Sequence, residues 1–151
     1  MGVFLKTLFY FIESSLLATA GPGLLGVKLK GKSVLLIGFL HSLSVWGLRT
    51  LYQALKIPFG SHTLVLAFLM CLLLWQIARL PFFEALGGTA ISFTLLLVSE
   101  PLVLIPLVRY LNLTFELVQN NPLLFFPIAL AGDSLLLLAV IIGYFRKNKA
   151  D

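Results

Sequence analysis

Five ionisable side chains fall inside long apolar runs of this chain: Glu13, His41, Arg49, Glu100 and Asp133. A charge placed in hydrocarbon costs about 2.5–3.5 kcal/mol on insertion scales, so each of the five needs a partner or water. Such groups serve three kinds of chemistry: an ion pair that fixes helix packing, a polar pocket, or a relay of protons or ions through groups at successive depths. Arg49 and Glu100 have opposite signs and fall at comparable depth in the second and fourth apolar runs, so their pairing is the expected contact. Ser99 and Pro101 flank Glu100 and would leave backbone carbonyls for further hydrogen bonds. Glu13 lies about midway along the first run. Asp133, between Gly132 and Ser134, is a polar interruption of the last one; it either joins Glu13 and Glu100 in covering successive depths or hydrogen-bonds to Trp46 or His41 across the bundle.

Other chemistries find no support. Neither His41 nor His62 has a Cys, a second His or a carboxylate three or four residues away, so no metal site is expected. His41 reads as a satisfied interior histidine, and His62 as a helix-start residue behind Ser61 as N-cap. Gly21-Pro22-Gly23 and Gly87-Gly88-Thr89 lack the lysine and the strand of a phosphate loop. No nucleophile stands in a recognisable catalytic setting. The expectation is a protein that is not an enzyme and carries no cofactor. Cys71 is the single cysteine, so an intramolecular disulfide is excluded.

The elements that must hold these groups follow from hydropathy. Of 151 residues, 60% are hydrophobic and 11% charged, against about 25% charged in an ordinary soluble domain. Mean hydropathy is +1.04, and the apolar residues are spread along the whole length. This predicts an all-α, polytopic integral membrane bundle of about five transmembrane helices in one domain, with spans at 3–25, 33–55, 63–80, 86–108 and 123–145. Gly21-Pro22-Gly23 should interrupt the end of the first run, and Pro58 with Gly60 marks a turn. Ala18-Thr19-Ala20 before Gly21 has the form of a signal-peptidase site, but Glu13 breaks the short apolar region that such a signal needs. Gly38, Ser42, Gly87, Gly88 and Ala90 are small enough to let helices approach closely.

Net charge is +5, and the positive groups sit at the ends of apolar runs. They form no basic stripe, so nucleic-acid binding is not expected. Lys28, Lys30, Lys32, Arg79, Arg146, Lys147 and Lys149 fall on one side, and Lys6, Lys56 and Arg109 on the other. Positive charge is retained in the cytoplasm. The larger group therefore predicts an external N-terminus and a cytoplasmic C-terminus in the cell membrane. Residues 109–121 read as an external loop with a short interfacial helix.

Ile57-Pro58-Phe59-Gly60-Ser61-His62-Thr63 before a leucine-rich span, then Leu80-Pro81-Phe82-Phe83-Glu84-Ala85-Leu86 and Val98-Ser99-Glu100, resembles the membrane-embedded N-terminal sensor region of Firmicute multi-span histidine kinases of the peptide-quorum and sporulation type. In that family the helices form an input module ahead of a phosphoacceptor helix and an ATP-binding domain. Here Arg146-Lys147-Asn148-Lys149-Ala150-Asp151 follows the last span, and phosphotransfer is not carried over. The resemblance implies a sensory or regulatory module lacking its own catalytic domain, or a piece of a longer kinase. Its expected partners are the lipid bilayer, a separate cytoplasmic or membrane protein, and further copies of itself. The alternatives are a small transport component, as a substrate-binding membrane subunit or proton-coupled carrier, and a structural subunit of a membrane complex. The mouth of the module is expected at 56–62 and 109–121.

Overall fold

Apolar runs that must satisfy their own backbone groups become helices, and the computed structural model, which describes residues 2–55 and 61–147, has no strand among the described residues. The order is α1 (Gly2–Leu24), α2 (Gly31–Leu55), α3 (Ser61–Gln76), α4 (Phe82–Ser99), a π-helical turn (Glu100–Leu104), α5 (Ile105–Tyr110), α6 (Phe115–Asn120), α7 (Pro122–Gly132) and α8 (Ser134–Lys147). The turn expected at Pro58–Gly60 and the last four residues of the basic tail lie outside the described residues.

Cross-helix pairs fix the direction of each leg. Tyr10 meets Arg49 and Ser14 meets His41, so α2 runs back along α1. Ser61 reaches the hydroxyl of Tyr52 and Leu66 meets His41, so α3 returns along α2. Gly21 meets Ser92, so α4 descends against α1. Phe125 packs on Phe9 with ring centroids 5.4 Å apart, and Gly143 sits on Gly23, so α7 and α8 run with α1. Helix α1 is the hub: it packs against α2, α4, α7 and α8, and α3 closes the bundle against α2 and α4.

The contact between α1 and α4 is unusually close for a chemical reason. Pro22 lies inside α1, where a proline removes one backbone donor and crowds the preceding turn. One residue earlier, the hydroxyl of Ser92 bridges Gly21 N–H and the Leu17 carbonyl. That hydroxyl accepts from Gly21 N–H at 2.8 Å and donates to Leu17 C=O at 2.6 Å. The ladder stays satisfied although a side chain is inserted in it. The expected interruption at Gly21-Pro22-Gly23 is therefore a helical segment, and α1 ends only at Leu24. Beyond it Gly26 takes φ 82°. Gly26 N–H then bonds Gly23 C=O and Val27 N–H bonds Pro22 C=O, which is the Schellman closure.

Absent side chains let the backbones meet. A Cβ on Gly88 would lie 2.9 Å from Pro22, and one on Gly143 would lie 2.9 Å from the Gly23 carbonyl carbon. A Cβ on Gly21 would collide with the Gly88 carbonyl, and one on Gly38 with the hydroxyl of Ser15. The expected close approach at Gly38 and Gly88 is present.

Three helical segments are long and apolar enough to cross a membrane: Val3–Leu24, Gly31–Tyr52 and Phe82–Tyr110. The pair Pro122–Gly132 and Ser134–Phe145, bent by 48°, makes a fourth if it counts as one span. Large apolar side chains face outward, among them Phe4, Leu64, Phe68, Phe83 and Ile142, as they do on a surface made for lipid. The leg expected at 63–80 is the exception. Its helix stops at Gln76, because Pro81 disfavours helical geometry at Leu80 and Arg79 takes φ 56°. Sixteen residues at about 1.5 Å each reach about 24 Å, less than the hydrocarbon thickness of about 30 Å. The segment 109–121 does contain a short helix, α6, capped by Thr114, and its Val118 packs with Val108 and Ile128.

Gly21→Ala should destabilise the bundle by about 1–3 kcal/mol through overpacking against the Gly88 backbone. Gly47→Ala, whose added methyl meets nothing within 4 Å, should leave stability unchanged or raised. Thermal unfolding of both variants in one detergent measures the difference, and equal melting temperatures would contradict the close-approach assignment.

Candidate functional site

One face of α1 carries Val3, Lys6, Tyr10, Glu13 and Leu17 at alternating spacings of three and four, which stacks them along a single stripe. That stripe lines a cavity of about 670 Å³. The opposite wall is α2, with His41, Val45, Trp46 and Arg49 one to two turns apart on one side of the helix. His62 and Leu66 of α3, Phe93 and Leu96 of α4, Glu100 of the π turn and Phe125 of α7 complete it. The start of α1, the end of α2, the start of α3 and the end of α4 share one end of the bundle, and the cavity extends from there to its middle.

The inner end is built around His41, whose ring nitrogens are both committed. Nε2 lies 3.2 Å from the Leu66 carbonyl and Nδ1 lies 2.9 Å from the Ser14 hydroxyl. A carbonyl only accepts, so Nε2 carries the proton and Nδ1 accepts from Ser14 in the neutral ring. The histidine ties α1, α2 and α3 together, as expected of a satisfied interior residue. It does not meet Asp133, and neither does Trp46.

Arg49 departs from its expected pairing. Its Nη1 donates to the Tyr10 hydroxyl at 2.8 Å, and its guanidinium carbon lies 4.8 Å from the Tyr10 ring centroid. Its Nε is buried without a partner. Glu100 lines the same cavity but makes no ion pair with Arg49 among the described residues. The π turn explains the offset. Pro101 has no N–H to give, the register widens until Ile105 N–H bonds Glu100 C=O, and a π turn rotates the following residues away from α-helical positions. Ser99 uses its hydroxyl on the Gly132 carbonyl, which anchors the turn to the α7–α8 break.

Glu13 is 8% exposed and has no side-chain hydrogen bond among the described residues, yet its carboxyl belongs to the cavity wall. The charges of Arg49, Glu100 and Asp133 all reach it electrostatically. Asp133 lies behind the wall at the break between α7 and α8, with Oδ2 buried and unpartnered. The structure thus gathers Glu13, His41, Arg49 and Glu100 around one space and places Asp133 just outside it.

Comparison with protein-family models, curated proteins and solved structures finds no match for this chain. The site must be read from its own chemistry.

Lys6, Tyr10 and Trp46 are among the cavity residues not singled out as site residues from the sequence. Lys6 sits 5.8 Å from the Phe125 ring centroid, so both mouth cations rest on aromatic faces. The signal was present, since Lys6, Tyr10 and Glu13 share the three-four spacing that puts them on one face. Among the described residues, no group of three or more His, Cys, Asp or Glu is placed to hold a metal ion.

Ser14→Ala should strand His41 Nδ1 in the interior and lower stability by about 1–3 kcal/mol. Ser44→Ala removes a hydroxyl that bonds only the Leu40 carbonyl of its own helix and should change little. Unfolding in detergent compares them, and equal effects would dismiss the serine–histidine link as a structural tie.

Proposed function

We propose that this chain is a sensory or regulatory module of the cell membrane, which receives a ligand in the cavity and acts through a separate protein partner. The observation that supports it best is the placing of Glu13, Arg49 and Glu100 on three different legs around one cavity, against the hub helix α1. A ligand that changes the spacing of those groups bears on all the legs together. Tight small-residue contacts at Gly21, Gly88 and Gly143 would carry that change to the far end of α1, where Lys28 stands 5.9 Å from the Tyr144 ring centroid. The basic groups at that end favour a cytoplasmic position. In this orientation the N-terminus and the cavity mouth are outside, and the C-terminus is in the cytoplasm.

A transport component is the second reading, and the two broken helices favour it. The π turn at Glu100 and the 48° break at Asp133 are joined by Ser99 and carry acidic groups, an arrangement that transport sites near the bilayer centre also use.

Orientation is checked by labelling intact cells with a membrane-impermeant maleimide in a Cys71→Ser background. Asn112→Cys should label and Lys30→Cys should not, and the opposite pattern would reverse the assignment. Partner dependence is checked by mild-detergent co-purification from the native membrane. A kinase or transcriptional regulator in stoichiometric amount supports the sensory module. An ATPase or further transport subunits would replace it with the transport reading, and a chain that purifies alone would refute the partner.

A further inference from the structure

The cavity is lined by an acid, Glu13, and a guanidinium, Arg49, that make no ion pair with each other. Glu13, a residue more than nine-tenths buried, lines the cavity with no side-chain hydrogen-bond partner among the described residues. Arg49 spends one terminal nitrogen on Tyr10, and its second terminal nitrogen has no hydrogen bond in the described structure. No ion pair joins the two, although they sit close enough for their charges to interact. An acid and a guanidinium that line one cavity and fall short of contact are bridged well by a molecule carrying the complementary pair, ammonium towards the acid and carboxylate towards the guanidinium.

The rest of the lining gives the remainder of such a molecule. Val45, Leu66, Phe93 and Leu96 form an apolar wall beside Glu13, and Trp46 adds an aromatic face nearer the mouth. A cavity of about 670 Å³ falls within the usual range for small-molecule sites, about 300–1,000 Å³. Lys6 and Arg49 at the mouth would repel a simple organic cation, and Glu13 with Glu100 would repel a simple anion. A molecule with no net charge and both signs close together meets neither barrier.

We infer that the cavity binds a small zwitterion of the α-amino-acid class with a large apolar or aromatic side chain, its ammonium on Glu13 and its carboxylate on Arg49. This assignment rests on the reading of the cavity as a ligand site and needs no protein partner, so it is tested separately from the sensory proposal.

The test is isothermal titration of the full chain in lipid nanodiscs with three probes that share one side chain: L-phenylalanine, phenethylamine, which lacks the carboxylate, and hydrocinnamate, which lacks the ammonium. Phenylalanine should bind at least about tenfold more tightly than either analogue, the scale of one charged hydrogen bond. Glu13→Gln should abolish its advantage over hydrocinnamate and keep its advantage over phenethylamine, and Arg49→Gln should do the reverse. Equal affinities for the three probes would show apolar partitioning only and overturn the assignment. So would preferences that survive both substitutions, or no binding of any probe to a chain that still unfolds cooperatively. A positive result with no partner on co-purification would leave the zwitterion site standing and refute the sensory proposal.

Discussion

The hydroxyl of Ser92, lodged between Gly21 N–H and Leu17 C=O, is the contact on which the remaining geometry depends. An apolar environment offers no water to backbone groups, so those near the end of α1 must find their partners within the protein. Helix α4 supplies one to Gly21 and Leu17, and it can approach closely enough only because Gly21 and Gly88 carry no side chains. This single crossing sets how α1 stands against α4. It thereby sets which residues of α1 face inward over the preceding turns, about five of them back to Val3.

Those turns carry the stripe Val3, Lys6, Tyr10, Glu13 and Leu17, which lines the cavity beyond the tight contact of α4 with α1 at Gly21 and Gly88. Serine recurs along α4 for the same purpose. Ser92 and Ser99 are seven residues apart, nearly two full turns, and both are buried. The first stitches α4 to α1 and the second to the carbonyl at the end of α7. One helix face thus holds the proline-bearing end of α1 and the break between α7 and α8, with the charged cavity adjoining them.

The helices were legible in the sequence because hydropathy is a property of each segment alone. Gly38 and Gly88 were legible as contact points for the same reason, since smallness can be read residue by residue. The partner of Arg49 could not be obtained that way, and Glu100 was expected in its place: depth follows from position in a run, but direction around the helix axis depends on neighbours and on the π turn at Glu100. Tyr10, the actual partner of Arg49, is one turn from Glu13 on the same face and was hidden by its apolar surroundings. Pro22 was read as a break because proline opposes helix in isolation. The serine that bridges the turn before it lies 71 residues from Gly21 in the chain. The early end of α3 follows from Pro81 and the left-handed Arg79, a local effect that the apolar run up to Leu80 concealed.

That shortened leg bears on how the protein would sit among lipids. Helix α3 presents Leu64, Val65, Phe68 and Trp75 outward, yet it is shorter than the apolar layer it would have to match, while its neighbour α4 continues through the π turn to Tyr110. Hydrophobic mismatch on one flank is relieved by local thinning of the bilayer or by tilting, at a cost of fractions of a kcal/mol per ångström. Helix α3 also contributes Leu66, the carbonyl partner of His41, to the cavity wall. A thicker or thinner membrane would therefore press on the same wall that surrounds the buried charges, and lipid composition becomes a variable of the site itself.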